Sequence, residues 1–155
     1  VAPLNAGYPG AMLPRALFGG GGEAALANAA LGLELDAAAP RYELRAVGPP
    51  HRLLFLTPMA ALTVLRATLA GGDVGDDEGG GCVYVSAAAT FVVVDGALRD
   101  CHAGFGGAVF AEPFGLVALS RGSSIADSTA AQSGGGVASG DSVVLDASSI
   151  SNCHA

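Results

Sequence analysis

Asp100 and Asp127 hold the same place in two copies of one short motif, residues 98–103 and 125–130. If those copies stack as neighbouring β-turns of a coil, equivalent side chains sit about 5 Å apart. That is near the carboxyl separation of a retaining glycosidase. Arg99, and Arg121 further on, could supply the cation that a uronate-cleaving site places beside its acids. The plainer reading makes both aspartates solvated turn residues, and we keep the enzymatic pair as its competitor. A second cluster, Asp73, Asp76, Asp77 and Glu78, could collect Ca²⁺, which takes several oxygen ligands. Its spacing fits neither an EF-hand nor the nonapeptide calcium repeat, and glycines flank it on both sides, so it reads as a solvated acidic loop without a bound cofactor. Residues 19–22 are all glycine, but no Lys-Ser/Thr follows them as a phosphate loop requires.

Cysteine and histidine repeat in register as well. Cys101 and Cys153 stand at equivalent places two turns apart, about 9.6 Å by stacking and beyond the ~7 Å limit for a disulfide. Both are therefore expected to be free thiols lining the interior, with Cys82 left without a partner. His102 and His154 are likewise two turns apart and read as solvated side chains rather than shared metal ligands.

These residues are positioned by a repeat. Glycine-led openings at residues 80–84, 106–110 and 134–138 recur after 26 and 28 residues, each followed by an apolar run and a closing motif at 98–103, 125–130 or 150–155. A period of this size marks a solenoid, whose single repeat cannot bury its own apolar face. Short apolar runs at 33–35, 42–47, 53–56 and 62–65 read as strands. Residues 62–69 lie over 91–98 without a gap, which carries the repeat back to about Leu53. Each turn reads as three short strands with no helix-length segment, so stacked β-coils are expected and a leucine-rich or ankyrin array is not. The core ladders expected are Leu65, Val94, Leu119 and Leu145 in the middle strand and Leu69, Leu98, Ile125 and Ile150 in the third. Strand alternation then turns Leu62, Val64, Phe91, Val93, Leu116, Ala118 and Val144 outward. Such an apolar stripe should be covered, by the N-terminal arm or by a neighbouring chain.

Ahead of the repeats, prolines at 3, 9 and 14 suggest an extended arm, and residues 23–31 favour a short capping helix that Gly32 would stop. Residues 1–32 thus form an arm and cap, and 33–155 the coil, with repeats near 53–78, 79–105, 106–133 and 134–155. With seven arginines, no lysine and a net charge of −7, the chain has no basic face to neutralise nucleic-acid phosphates. Its most apolar stretch, residues 53–65, is too short and too interrupted to span a bilayer. The odd number of cysteines leaves the redox compartment open.

Read together, residues 98–109 and 125–137 resemble the repeat of chlamydial polymorphic outer-membrane proteins, FxxNxA shortly before GGA[IV]. Leu98, Ile125 and Ile150 stand where that repeat has Phe, and Cys101, Ser128 and Cys153 where it has Asn. The resemblance, and the pectin-lyase-like superfamily around it, implies a right-handed parallel β-helix on a secreted or surface-exposed protein. The expectation is therefore a β-helix of about four turns of 25–29 residues, acting as a non-catalytic structural or adhesive module on other protein chains or further repeats. The competing class is a carbohydrate-active enzyme with Asp100 and Asp127 as its acids and Arg99 beside them, with a sugar-binding module between the two.

Overall fold

The computed structural model describes residues 41–155. The expected arm, the helix over residues 23–31 and the strand at 33–35 lie outside the described residues. Within them the chain is all β, a parallel solenoid of about four turns. β1 (Tyr42–Arg45) leads in. The first full turn holds β2 (Leu54–Leu56), β3 (Ala61–Leu65) and β4 (Ala67–Ala70). The second holds β5 (Val83–Val85), β6 (Thr90–Val94), β7 (Ala97–Arg99) and β8 (His102–Phe105). The third holds β9 (Val109–Ala111), β10 (Leu116–Ser120), β11 (Ser124–Ala126) and β12 (Thr129–Ser133). The last holds β13 (Val137–Ser139), β14 (Ser142–Leu145) and β15 (Ser149–Ser151).

Each strand lies over its counterpart one turn away, giving the sheets β2-β5-β9-β13, β3-β6-β10-β14, β1-β4-β7-β11-β15 and the short pair β8-β12. The middle turns therefore have four sides where the sequence suggested three strands. The extra pair escaped notice because residues 102–105 and 129–133 lack the apolar run that marks a buried strand.

The turns are made by residues in the left-handed conformation, stacked as corner ladders. One corner holds Met59, Ala88 and Phe114, the next Arg66, Asp95, Arg121 and Ala147, and the third Gly71, Asp100, Asp127 and Asn152. A non-glycine residue there costs about 1–2 kcal/mol, least for Asp and Asn. Inter-turn backbone bonds hold these corners: the N–H of Asp95 donates to Ser120 O at 3.1 Å and that of Asp127 to Ser151 O at 3.3 Å. At the fourth corner, Gly80, Gly106 and Gly134, a Cβ on Gly80 would collide with the carbonyl oxygen of Val83. The glycine-led opening is the signature of that corner.

The core is the interior of the coil. Leu69, Leu98, Ile125 and Ile150 stack as expected, and Leu44 extends the same ladder one strand further back. The middle sheet differs from expectation by one residue. Val64, Val93, Leu119 and Leu145 form one inner ladder and Leu62, Phe91, Val117 and Val143 the other. Leu65 and Val94 pair instead with Ser120 on the outside. Of the residues expected to face outward, Leu62, Val64, Phe91 and Val93 belong to the interior cluster, while Leu116, Ala118 and Val144 keep the outer face. The inversion has a simple cause: β3 and β6 are apolar on both faces, so period-two alternation cannot tell inside from outside.

Candidate functional site

The interior ladders are packed along the coil and less covered at the last described turn. Val143, Leu145 and Ile150 belong to interior ladders, yet they are 38%, 46% and 38% exposed. Their counterparts one turn earlier, Val117, Leu119 and Ile125, are buried. β13, β14 and β15 are each the terminal strand of their sheet, so one side of each presents backbone donors and acceptors to solvent, while β12 takes a bridge from His154. At the opposite end Leu44, the first rung of the ladder that ends at Ile150, is 47% exposed.

The second feature corrects the cysteine reading. Cys82 and Cys101 form a disulfide within one turn, with Cα atoms 5.6 Å apart, and Cys153 is the free thiol among the described residues. Both bonded cysteines are buried. Comparing turns with one another could not find this pair, since it joins the start of β5 to the corner after β7 in a single turn. One turn on, Ala108 and Ser128 take the two places; in the last turn they fall to Gly136 and Cys153. Buried Ser128 turns its hydroxyl to the backbone, accepting from Cys101 N at 3.3 Å and donating to Ala126 O at 3.0 Å.

The polar candidates lie on the outside. Asp100 and Asp127 are exposed corner residues on adjacent turns; Asp100 takes Arg99 at 2.8 Å, and Arg99 also reaches Glu43 at 3.1 Å. A hydrogen bond from Arg45 at 2.6 Å, with Arg99 alongside, holds the Glu43 carboxyl below the usual carboxylate range. Both aspartates thus serve as turn residues, and Arg99 is engaged in a surface ion-pair web. The acidic loop divides among separate partners. Asp73 accepts from Gly75 N at 2.8 Å, Glu78 pairs with Arg52 at 3.0 Å, and Asp76 bonds His102 Nε2 at 2.9 Å. Asp77 is exposed in the same loop. Among the described residues no three such side chains come together as a metal site.

His102 joins Asp76 on one side and Thr129 Oγ1 at 2.9 Å on the other, an order of groups that resembles a nucleophile, base and orienter. Asp76 is 72% exposed, so water screens the chain, and the shallow cavity of about 350 Å³ nearby is lined by Pro50, His51, Arg52, Val74, Gly75 and Glu78 rather than by these groups. The chain binds the acidic loop to the β8–β12 face. His154 sits one rung beyond Thr129.

An aromatic ladder that the sequence reading missed runs along the outside of the β2-β5-β9-β13 sheet. Phe55 stacks on Tyr84 at 4.9 Å, Tyr84 lies 5.3 Å from Phe110, and the Arg52 guanidinium sits 5.1 Å from the Tyr84 ring. The shared central position of the glycine-led strands was the available signal: Phe55, Tyr84 and Phe110 pair directly. Tyr84 donates to Glu112 at 2.7 Å; burial first, then this bond to a carboxylate, pushes the phenol up to about 12. No helix of the described residues is long and apolar enough to cross a membrane. No family model, curated protein or solved structure matches the chain.

Proposed function

We propose that this chain is a non-catalytic structural module of an extracellular or surface assembly, acting through protein–protein contacts at the end of its β-coil. One observation carries the reading: the interior side chains Val143, Leu145 and Ile150 are left exposed on a turn whose strand edges are open. A further rung laid on that turn would bury the three side chains and pair the edges, which is how β5, β6, β7, β9, β10 and β11 are satisfied by neighbours on both sides. A second copy of the chain is the partner the ends favour. Ile150 at one end and Leu44 at the other terminate the same ladder, so the two ends offer matching apolar rungs. Such a head-to-tail contact is heterologous and propagates into a ring or filament. The buried disulfide supports an oxidising compartment, where small secreted domains keep such bonds.

Light scattering over a range of concentrations tests the reading on the wild type and on Leu145→Asp. Association of the wild type, lost in a variant with an unchanged circular dichroism spectrum, is the expected result; a wild type that stays monomeric throughout contradicts it. A second reading, a sugar-binding module, is favoured by the Phe55–Tyr84–Phe110 ladder, since Phe55 is 58% exposed and Arg52 borders it. Quenching of tyrosine fluorescence by oligosaccharides, abolished in Phe55→Ala, would support that reading instead.

A further inference from the structure

The aromatic ladder and the shallow cavity meet at Arg52. Phe55 is the outermost ring of its stack: β2 is the terminal strand of its sheet, so Tyr84 lies against one face of the ring and no further rung lies against the other. The Arg52 guanidinium borders both rings, 5.8 Å from the centre of Phe55 and 5.1 Å from that of Tyr84. Its side chain is 17% exposed and is fixed by three hydrogen bonds, from Nε to Gly80 O at 2.9 Å and from Nη2 to Gly79 O at 2.7 Å and Glu78 Oε2 at 3.0 Å. Among the described residues no partner takes Arg52 Nη1 or the second carboxylate oxygen, Glu78 Oε1. Both side chains line the cavity of about 350 Å³, with Pro50 and His51 beside them. His51 Nδ1 lies 2.7 Å from Pro49 O; a carbonyl only accepts, so Nδ1 carries the proton of the neutral ring and Nε2 is left as an acceptor.

We propose that this cavity and the Phe55 ring together bind one unit of a neutral sugar, its C–H face on Phe55 and its hydroxyls on Arg52, Glu78 and His51. The assignment rests on the sugar-binding reading and gives it a site and a ligand class. A sugar hydroxyl both donates and accepts, so neighbouring hydroxyls call for a donor beside an acceptor, and Arg52 Nη1 beside Glu78 Oε1 is such a pair. Backbone carbonyls already hold the guanidinium in place, which lowers the ordering cost of binding. An apolar ring with a few placed polar groups is the usual make-up of a small-molecule site, and the volume falls at the lower end of the roughly 300–1,000 Å³ such sites span. Charge selects the class. Glu78 neutralises Arg52, and Asp73, Asp76 and Asp77 stand in the same loop, so a carboxylate or sulfate on the sugar meets like charge. The site lies on the side of the coil and is separate from the end-on surface of the last turn.

Isothermal titration calorimetry on the full chain tests the site, with cellotetraose, xylotetraose, mannotetraose and galactotetraose as neutral probes and trigalacturonate as the acidic one. At least one neutral probe should bind with a dissociation constant of about 1 mM or tighter. Phe55→Ala and Glu78→Ala should each weaken that binding by about 10-fold or more, the second because a hydrogen bond to a charged group is lost. Both side chains are exposed, so the circular dichroism spectra should match that of the wild type. Glu78→Ala should also shift the preference towards trigalacturonate by about 10-fold, since Arg52 is then left unneutralised, a change that a purely structural role for Glu78 does not produce. A wild type that prefers trigalacturonate, with that binding lost in Phe55→Ala, would overturn the neutral assignment and leave sugar binding standing. Neutral-probe binding untouched by Glu78→Ala would overturn the placement of the site in the same way. Heat from none of the probes would overturn both the proposal and the sugar-binding reading.

Discussion

Replacing Cys82 by Ala and Cys101 by Ser copies into the second turn what the third turn already carries at the same places, Ala108 and Ser128. The swap therefore removes the cross-link while keeping side chains that this coil accommodates. The two cysteines are 19 residues apart, and in the chain-entropy account a loop of about that length restricts the unfolded chain by roughly 3 kcal/mol. With urea slopes of about 1–3 kcal/mol per molar for small domains, the unfolding midpoint should fall by roughly 1–3 M. Urea unfolding followed by far-ultraviolet circular dichroism measures it, and wild type treated with reductant should show a similar loss. A midpoint that does not move, or a thiol titration of the native wild type that finds Cys82 and Cys101 reactive, would refute the reasoning.

Gly136→Cys should build the matching bond in the last turn. A Cβ there lies 3.1 Å from Cys153 Sγ and 3.5 Å from its Cβ, the separations of a bonded pair, though Ile150 must yield from 2.9 Å. Mass spectrometry should show two hydrogens lost and a gain of about 2 kcal/mol in stability, whereas two free thiols would contradict the register. Phe91→Ala should cost about 3–5 kcal/mol because the ring fills the interior, while Val144→Ala, on the bare outer rung, should stay within about 0.5 kcal/mol; near-equal effects would return Phe91 to the surface. On alkaline titration at 295 nm, Tyr84 should ionise at about 12, and Glu112→Gln should lower that value in part, since burial is the larger cause. Because its folded value is raised, Tyr84 adds stability that is whole below the ordinary phenol value of about 10 and is lost as pH rises through about 12. An ordinary titration of all tyrosines would contradict its contact with Glu112. Glu43 has the opposite sign: its stabilising pairing is whole above the usual carboxylate range and is lost as acid protonates it.

The coil was legible because its corners constrain residue type. Gly80, Gly106 and Gly134 mark one left-handed corner, and Asp100, Asp127 and Asn152 another, so spacing alone revealed the period and the parallel stacking. The Leu98–Ile125–Ile150 ladder was readable because its flanking residues are polar or small, leaving a single apolar choice. Inside and outside of the middle sheet were not readable. Phe91, Val92, Val93 and Val94 are all buried, two against the interior and two on the outer face, and hydrophobicity is the same on both sides. The disulfide was hidden for a different reason, since ladders relate one turn to the next and this bond closes within a turn. The motif carboxylates drew attention by repetition, and Asp100, Asp127 and Asn152 share the left-handed backbone of one corner.

Hydrogen–deuterium exchange of β13, β14 and β15, measured from dilute to concentrated protein, tests the end-on contact most directly. The account predicts that amides of β14 around residues 143–145 exchange rapidly in the monomer and become protected over the concentrations at which the chain associates. Association that leaves those amides as open as in the monomer, or a last turn that is equally protected at every dilution, would contradict it.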